Sequence, residues 1–342
     1  MTDEPILVTG ATGFLGSHLC RALVADGRDV HALCRPSSDR SPLRDCAVEW
    51  VIGDVTDGER MAEVVADAAT VYHLAGAGLA AADAATVRRV NVEGTRHVLR
   101  ACRRAGTERV VFTSTAGTRR CEGVADETDV AEPTGAYQES KARAESLVDE
   151  YAADGHDAVT VHPTSVFGPG DTEFTARLLA LATNPAMIAY LPGGASFVGV
   201  ADVVAGTRAA MDRGRAGEHY LLGGQNLAYG EALGIIADAV EGYRPLVPVP
   251  ASALRAAGHV AGFAGSHLGR RVFPFDPDMA RLATSELFYS STKAERELSY
   301  RYRPLAEHVD AAAAWYRDRS RDAPTSTVDR PLGSGGRGQE SR

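Results

Sequence analysis

Tyr137 and Lys141 stand four residues apart in a segment that reads as helix, so both side chains leave the same face. A tyrosine hydroxyl ordinarily ionises near pH ~10 and is a poor base at neutrality; an ammonium held beside it favours the phenolate and brings it into a range where it can pass a proton. Composition adds weight to the pair, because lysine occurs only at Lys141 and Lys293 among 36 basic residues. Every other basic residue is an arginine, which cannot present a compact ammonium. Lys293 reads as a residue of the C-terminal part rather than as a catalyst. Two hydroxyls upstream, Ser114 and Thr115, close an apolar run, and either could hold an oxygen whose proton is moving. An isolated Tyr-x-x-x-Lys is most often a solvated helical pair, so the surrounding elements must decide.

The chain opens on the apolar run Ile6-Leu7-Val8, passes through Thr9-Gly10-Ala11-Thr12-Gly13-Phe14-Leu15-Gly16 and continues into Ser17 to Leu23. This reads as strand, tight turn and helix. A helix N-terminus offers unpaired N–H groups and partial positive charge to a pyrophosphate. Gly10 makes the turn, Gly13 lets the backbone approach the phosphates, and Gly16 lets the helix pack closely. The helix runs from Phe14 to Ala25 and stops near Gly27; a second strand, Val30 to Cys34, completes a βαβ unit. NAD-selective folds put an acid at the end of that strand and NADP-selective ones an arginine nearby. Here Cys34 holds the acidic position and Arg35 follows, so NADP(H) is the expected cofactor with NAD(H) possible, against the plain reading of a solvated arginine. Asp54, after the strand Val48 to Ile52, is either an acceptor for the adenine or a turn former.

A helix follows from Gly58 to Ala66, then a strand, Thr70 to Leu74, in which His73 reads as structural, and the small residues Ala75-Gly76-Ala77-Gly78. A helix expected over 81–105 and a strand from Arg109 to Thr115 complete five alternations. That pattern calls for a doubly wound parallel α/β sheet with right-handed crossovers. Beyond the loop 117–133, the helix carrying Tyr137 continues through Tyr151, and a sixth strand spans Ala158 to His162. After Gly168 the alternation becomes irregular: helices over 172–182, 229–240 and 251–262 and a short strand at 219–222. The expected organisation is a Rossmann dinucleotide-binding domain over 1–167, a smaller substrate lobe over 168–318 interleaved with the sheet, and a tail over 319–342, disordered from Ala323.

Net charge −9 and pI near 5.6 argue against a nucleic-acid partner. The five cysteines form no C-x-x-C pair or metal spacing and read as reduced thiols, with no metal expected. No run approaches the ~18 apolar residues of a membrane span, and the first strand starts too early to leave room for a signal peptide, so a cytoplasmic location is expected.

With Gly10-x-x-Gly13-x-x-Gly16, Gly53-Asp54, His73-Leu74-Ala75-Gly76, Asn91-Val92-Glu93-Gly94-Thr95, Thr113-Ser114-Thr115 and Tyr137-x-x-x-Lys141 in this order, the chain resembles the extended short-chain dehydrogenase/reductases. Arg35-Pro36-Ser37-Ser38, Phe197 to Val203, Glu218 to Gly224 and Ser291-Thr292-Lys293-Ala294 are similar to the dihydroflavonol 4-reductase-like and hopanoid-associated sugar-epimerase-like branch. The resemblance implies Tyr137 as proton donor or acceptor, Lys141 as its activator and ribose ligand, and Thr115 as the hydroxyl that orients the substrate oxygen, where many relatives have serine and where Ser114 is a neighbouring rival. It also implies a cofactor surface of Gly10, Thr12, Gly13, Phe14, Leu15, Gly16, Arg35, Asp54, Val55, Leu74, Ala75, Gly76, Pro163 and Ser165 with Tyr137 and Lys141, and a homodimer through the helices at 81–105 and 137–154. Gly76 departs from the alanine common at its position. The implied activity is hydride transfer to or from a carbon of a small carbonyl or alcohol substrate. A sugar-nucleotide epimerase using the same residues is the runner-up, and a non-catalytic NADP sensor is the remote third.

Overall fold

The computed structural model describes residues 5–78, 83–254, 256 and 284–322. Most of the helix expected over 251–262, the start of the one expected at 81 and the tail from Ala323 lie outside them.

Seven strands form the main sheet: β1 (Ile6–Thr9), β2 (Val30–Cys34), β3 (Glu49–Ile52), β4 (Thr70–His73), β5 (Arg109–Thr113), β7 (Ala158–Pro163) and β11 (His219–Leu222), in the order β11-β7-β5-β4-β1-β2-β3. Every neighbouring pair is parallel. Such a sheet is buried on both faces, which explains its near-continuous apolar runs. Successive side chains alternate between faces. Ile6 and Val8 enter a core with Leu19, Leu23 and Val203, from the helices α1 (Phe14–Ala25) and α7 (Val200–Arg213). Leu7, between them, enters the opposite core with Met61, Val98 and Val148, from α2 (Gly58–Val65), α4 (Gly94–Ala105) and α5 (Gly135–Ala153). Each such side chain, fully buried, contributes about 1.5–3 kcal/mol.

The expected continuous helix over 81–105 is interrupted. Its described part is α3 (Ala84–Arg88), one π turn over Arg89–Glu93, and then α4. The physical reason is Asn91, whose side chain accepts from Ala77 N–H at 2.7 Å and donates to Ala77 C=O at 3.1 Å and to Ser140 Oγ at 2.8 Å. A wider turn aims this side chain inward, and such insertions recur at functional sites.

A second sheet draws strands from distant parts of the chain: β6 (Val124–Ala125), β8 (Ser165–Phe167), β10 (Gly194–Gly199), β12 (Gln225–Ala228) and β14 (Glu286–Tyr289), ordered β12-β10-β14-β6 with β8 also on β10. A short parallel pair, β9 (Ala189–Tyr190) with β13 (Val247–Pro248), lies apart from it. Phe197 of β10 stacks on Phe174 at 5.9 Å and meets Tyr229 edge-on at 6.2 Å, anchoring α6 (Phe174–Thr183) and α8 (Tyr229–Ala239). The helix Ala306–Asp322 packs into the same core through Val309 and Ala312. Asp202, in the first turn of α7, ties the two sheets together: it accepts from Arg303 N–H at 2.9 Å and Nε at 3.0 Å and lies 3.0 Å from His308 Nε2.

Candidate active site

The strand order puts β1 beside the central strand β4, and from β1 the chain winds outward through β2 and β3 on one side and through β4, β5 and β7 on the other. Ligands of open parallel sheets sit at the carboxyl ends of the strands where the winding reverses, here between β1 and β4. Register aligns those ends, pairing Thr9 with His73, Cys34 with Ile52 and Thr113 with Val161. The predicted residues that follow them therefore share one edge: Gly10, Arg35, Asp54 with Val55, Leu74-Ala75-Gly76, Ser114-Thr115 and Pro163. Ser165 lies just past Pro163 and belongs to the second sheet, opposite Phe197.

This edge has the form of a dinucleotide cradle. Gly10 has φ +71°, and a Cβ there would stand 2.7 Å from Ala75 N; a Cβ on Gly16 would stand 2.1 Å from Gly10 O. No larger residue fits either place. Helix α1 starts at Gly13 with no side-chain cap and no acid in its first turn, so the N–H groups of Phe14, Leu15 and Gly16 remain for an anion. Thr12 and Leu15 are half-buried beside them, and the Phe14 ring meets His18 edge-on at 5.7 Å. At the end of β2, Cys34 is buried, whereas Arg35 is exposed with no partner to its guanidinium among the described residues; its backbone N–H donates to Ser38 Oγ at 3.1 Å. Asp54 does form a turn, accepting at Oδ1 from Thr56 N–H at 2.9 Å and Thr56 Oγ1 at 2.8 Å, with its other oxygen not engaged in that turn.

Helix α5 carries Tyr137 and Lys141 against the end of β5. Lys141 is buried and donates from Nζ to Thr113 C=O at 2.7 Å, with Nζ 4.8 Å from the centre of the Phe112 ring. Burial lowers its pKa to about 8, against the opposing pull of the Glu145 carboxylate. Burial raises the pKa of Tyr137, and the Thr115 hydroxyl works against that; the Lys141 ammonium is engaged with the Thr113 carbonyl. The two candidate hydroxyls separate cleanly. Ser114 is buried and donates to Glu145 Oε1, while Thr115 faces Tyr137 and accepts from Gly117 N–H at 3.2 Å.

His73 has a structural role, lying 2.7 Å from Thr9 Oγ1 and 3.0 Å from Thr95 Oγ1; burial holds its pKa down at about 3, so it stays neutral. Sequence reasoning missed the polar cluster behind β5. Glu145 pairs with Arg119 at 2.9 Å, both buried, and accepts from Thr118 Oγ1 at 2.8 Å. His162 Nε2 lies 2.9 Å from His219 Nδ1, whose ring in turn reaches Asp149 at 2.9 Å. Glu145, His162 and His219 bring ligand-type atoms within 4.8 Å of one another, but the Arg119 guanidinium already bonds Glu145 and lies 3.0 Å from His219, supplying positive charge there. The one available signal for Glu145 was its place a helical turn beyond Lys141.

The NAD dependent epimerase/dehydratase family model matches residues 6–223, and the chain belongs to that family. It is 33% identical over 326 residues to the sterol demethylase protein B of Methylococcus capsulatus, covering 92% of this chain and 98% of the relative. It is 31% identical over 307 residues to the 4-hydroxy-2-methyl-3-oxo-4-farnesyl-3,4-dihydroquinoline-1-oxide ketoreductase of Stigmatella aurantiaca, covering 86% and 90%. The crystal structure of gox2253 superposes with a TM-score of 0.84 at 33% identity, covering 93% of this chain and 99% of the other. The protein is thus an enzyme of the extended short-chain dehydrogenase/reductase type, with the NAD(P) chemistry of a reductase or of an epimerase/dehydratase.

Proposed function

We propose that this enzyme reduces the carbonyl of a small molecule with NADPH, or oxidises the corresponding alcohol, at a Thr115–Tyr137–Lys141 site. The observation that carries the reductase reading is Arg35: exposed at the end of β2, beside the glycine turn, with the neighbouring acidic position held by Cys34. A guanidinium there meets a 2′-phosphate with paired hydrogen bonds, and a carboxylate that would bind a free ribose hydroxyl is missing from that position. An NADPH-dependent reductase releases oxidised cofactor after each turnover, whereas an epimerase commonly retains NAD. The ketoreductase name of the Stigmatella relative points the same way.

The nicotinamide supplies or accepts the hydride when bound. Gly10, Gly13 and Gly16 admit the pyrophosphate to the α1 N-terminus, Thr12, Phe14 and Leu15 flank it, and Arg35 and Asp54 with Val55 take the adenosine end. Leu74, Ala75, Gly76, Pro163 and Ser165 line the nicotinamide side. Thr115 holds the substrate oxygen, Tyr137 gives it a proton during reduction, and Lys141 holds the ribose and compensates the charge that develops on Tyr137. The second sheet with α6 and α8 forms the substrate lobe, the edge of the main sheet forms the cofactor domain, and the protein acts in the cytoplasm as a homodimer packed through α4 and α5.

The experiment is an assay of purified protein with NADPH or NADH against a panel of ketones and nucleotide sugars. Stoichiometric loss of NADPH absorbance with a ketone is expected. Copurifying, tightly held NAD with sugar-nucleotide interconversion and no net NADPH use would overturn the reductase reading in favour of the epimerase.

A further inference from the structure

Helix α5 presents three polar residues at successive intervals of four, Tyr137, Lys141 and Glu145, and the strand end opposite presents three consecutive residues, Thr113, Ser114 and Thr115. Each member of one row engages one member of the other: Tyr137 with the Thr115 hydroxyl, Lys141 with the Thr113 carbonyl at 2.7 Å, and Glu145 with the Ser114 hydroxyl. From this juxtaposition we infer that Glu145 is a positioning residue of the reaction: with Arg119 behind it, it fixes the register of the strand end against the helix and supplies the negative charge that keeps Lys141 an ammonium. The inference rests on the proposed roles of Thr115 and Lys141 but not on the direction of the redox chemistry.

The register argument follows from what Glu145 grips. Its Oε1 accepts from Ser114 Oγ and, at 2.8 Å, from Thr118 Oγ1, while Oε2 accepts from Arg119 at 2.9 Å. Ser114 precedes and Thr118 ends the single turn Ala116–Thr118 whose N-cap is Thr115. Holding both ends of this segment fixes the backbone that carries Thr115, whose hydroxyl bonds Tyr137. Preorganisation of this kind is worth most where a displacement of ~1 Å costs large factors in rate. Arg119 in turn donates to Glu127 C=O at 3.0 Å, so the carboxylate is clamped from the loop side as well.

The charge argument follows from what else faces Lys141. Besides Glu145 and Tyr137 on its own helix, the titratable groups around its ammonium are His73 from β4 and His162 from β7, and burial keeps both imidazoles neutral. Glu145 is therefore the anion that opposes the desolvation of Lys141. Removing its charge while keeping its shape lets Lys141 lose its proton at lower pH; shortening it keeps the charge but draws the carboxylate away from Ser114.

The scarcity of lysine makes the test direct. Protein grown on lysine labelled with carbon-13 at the ε position shows two lysine side-chain signals, from Lys141 and Lys293, and Lys293→Arg assigns them. In the parent protein the Lys141 signal is expected to titrate near pH 8. In Glu145→Gln the midpoint moves down by about one pH unit, and in Glu145→Asp it stays within a few tenths of the parent while turnover falls about tenfold with the cofactor dissociation constant unchanged. Because Glu145→Gln leaves Arg119 buried without its partner, Glu145→Gln/Arg119→Gln is titrated alongside, and the same downward shift is expected from it if the single variant does not fold. A Lys141 midpoint unmoved in the folded Glu145→Gln or double variant, or a Glu145→Asp variant with parental turnover, would overturn the inference. Failure of the underlying roles looks different: Thr115→Ala with parental turnover, whatever the Lys141 midpoint.

Discussion

The two sheets solve opposite problems. The main sheet has seven parallel strands over two apolar cores, and at its carboxyl edge one strand after another ends in a glycine, a hydroxyl or a charged turn. The second sheet mixes parallel and antiparallel pairs and gathers its strands from positions between 124 and 289. A rigid parallel scaffold can hold a large common cofactor because the positions it offers repeat from strand to strand. A sheet assembled from loop-borne pieces can be changed piece by piece without disturbing that scaffold. In the proposed reading, hydride chemistry and proton transfer sit on the first sheet and substrate choice on the second.

The comparison breaks most sharply at Gly16. Gly16→Val places a side chain where even a Cβ stands 2.1 Å from Gly10 O, so the turn must open and dinucleotide binding is lost. Titration of nicotinamide fluorescence reads this directly, and binding within a few-fold of the parent would show that the cradle is not the cofactor site. Next is Tyr137→Phe, which removes the transferable proton and little else: turnover should fall by about 10²–10⁴-fold with the cofactor dissociation constant nearly unchanged. Steady-state kinetics beside the same titration separates the two quantities.

Asp202 tests the joint between the sheets. Burial pushes its carboxyl up, but the His308 imidazole 3.0 Å away and hydrogen bonds from Arg303 outweigh this and hold it below the ordinary 3.8. A depressed folded-state pKa contributes stability that is present above the ordinary carboxylate value and is lost as pH falls through the folded one. Asp202→Asn should therefore cost about 3 kcal/mol at neutral pH and much less in acid, as measured by urea unfolding at two pH values. An equal cost at both would remove the ionic tie. The smallest effect is expected at Arg35: Arg35→Ala should narrow the preference for NADPH over NADH by about 10- to 100-fold, the weight of a charge-assisted contact of about 1.5–3 kcal/mol, and leave NADH affinity unchanged.

The same division explains what the sequence disclosed. The cofactor edge was legible because its parts are local: the glycine spacing, Arg35 after β2, and Tyr137 with Lys141 each fall within a few residues, and parallel topology then brings them together without further information. The second sheet was not, because the pairing of β6 with β14 joins Val124 to Phe288 across nearly half of the chain and no periodicity in either two- or four-residue strand announces it. Tyr137 itself shows the limit within a legible site. Its neighbour Lys141 was visible, but the sequence did not show that Lys141 would bond Thr113 and that Thr115 would be the group acting on the phenol. The π turn at Asn91 was hidden for a similar reason, since it exists to satisfy the backbone of Ala77, which no helical pattern encodes.

The central claim is that hydride leaves NADPH for a carbonyl carbon while Tyr137 protonates the oxygen, with the oxidised cofactor released each turn. The most direct measurement uses NADPH carrying deuterium on the transferring face of the nicotinamide ring, a ketone turned over in the panel assay, and mass analysis of the product. The account predicts one deuterium on the carbinol carbon for each NADPH oxidised in the parent protein, and the same ratio in Tyr137→Phe at a rate lower by about 10²–10⁴-fold. Product free of cofactor-derived deuterium, formed with no net oxidation of NADPH while NAD remains bound to the protein, would contradict it.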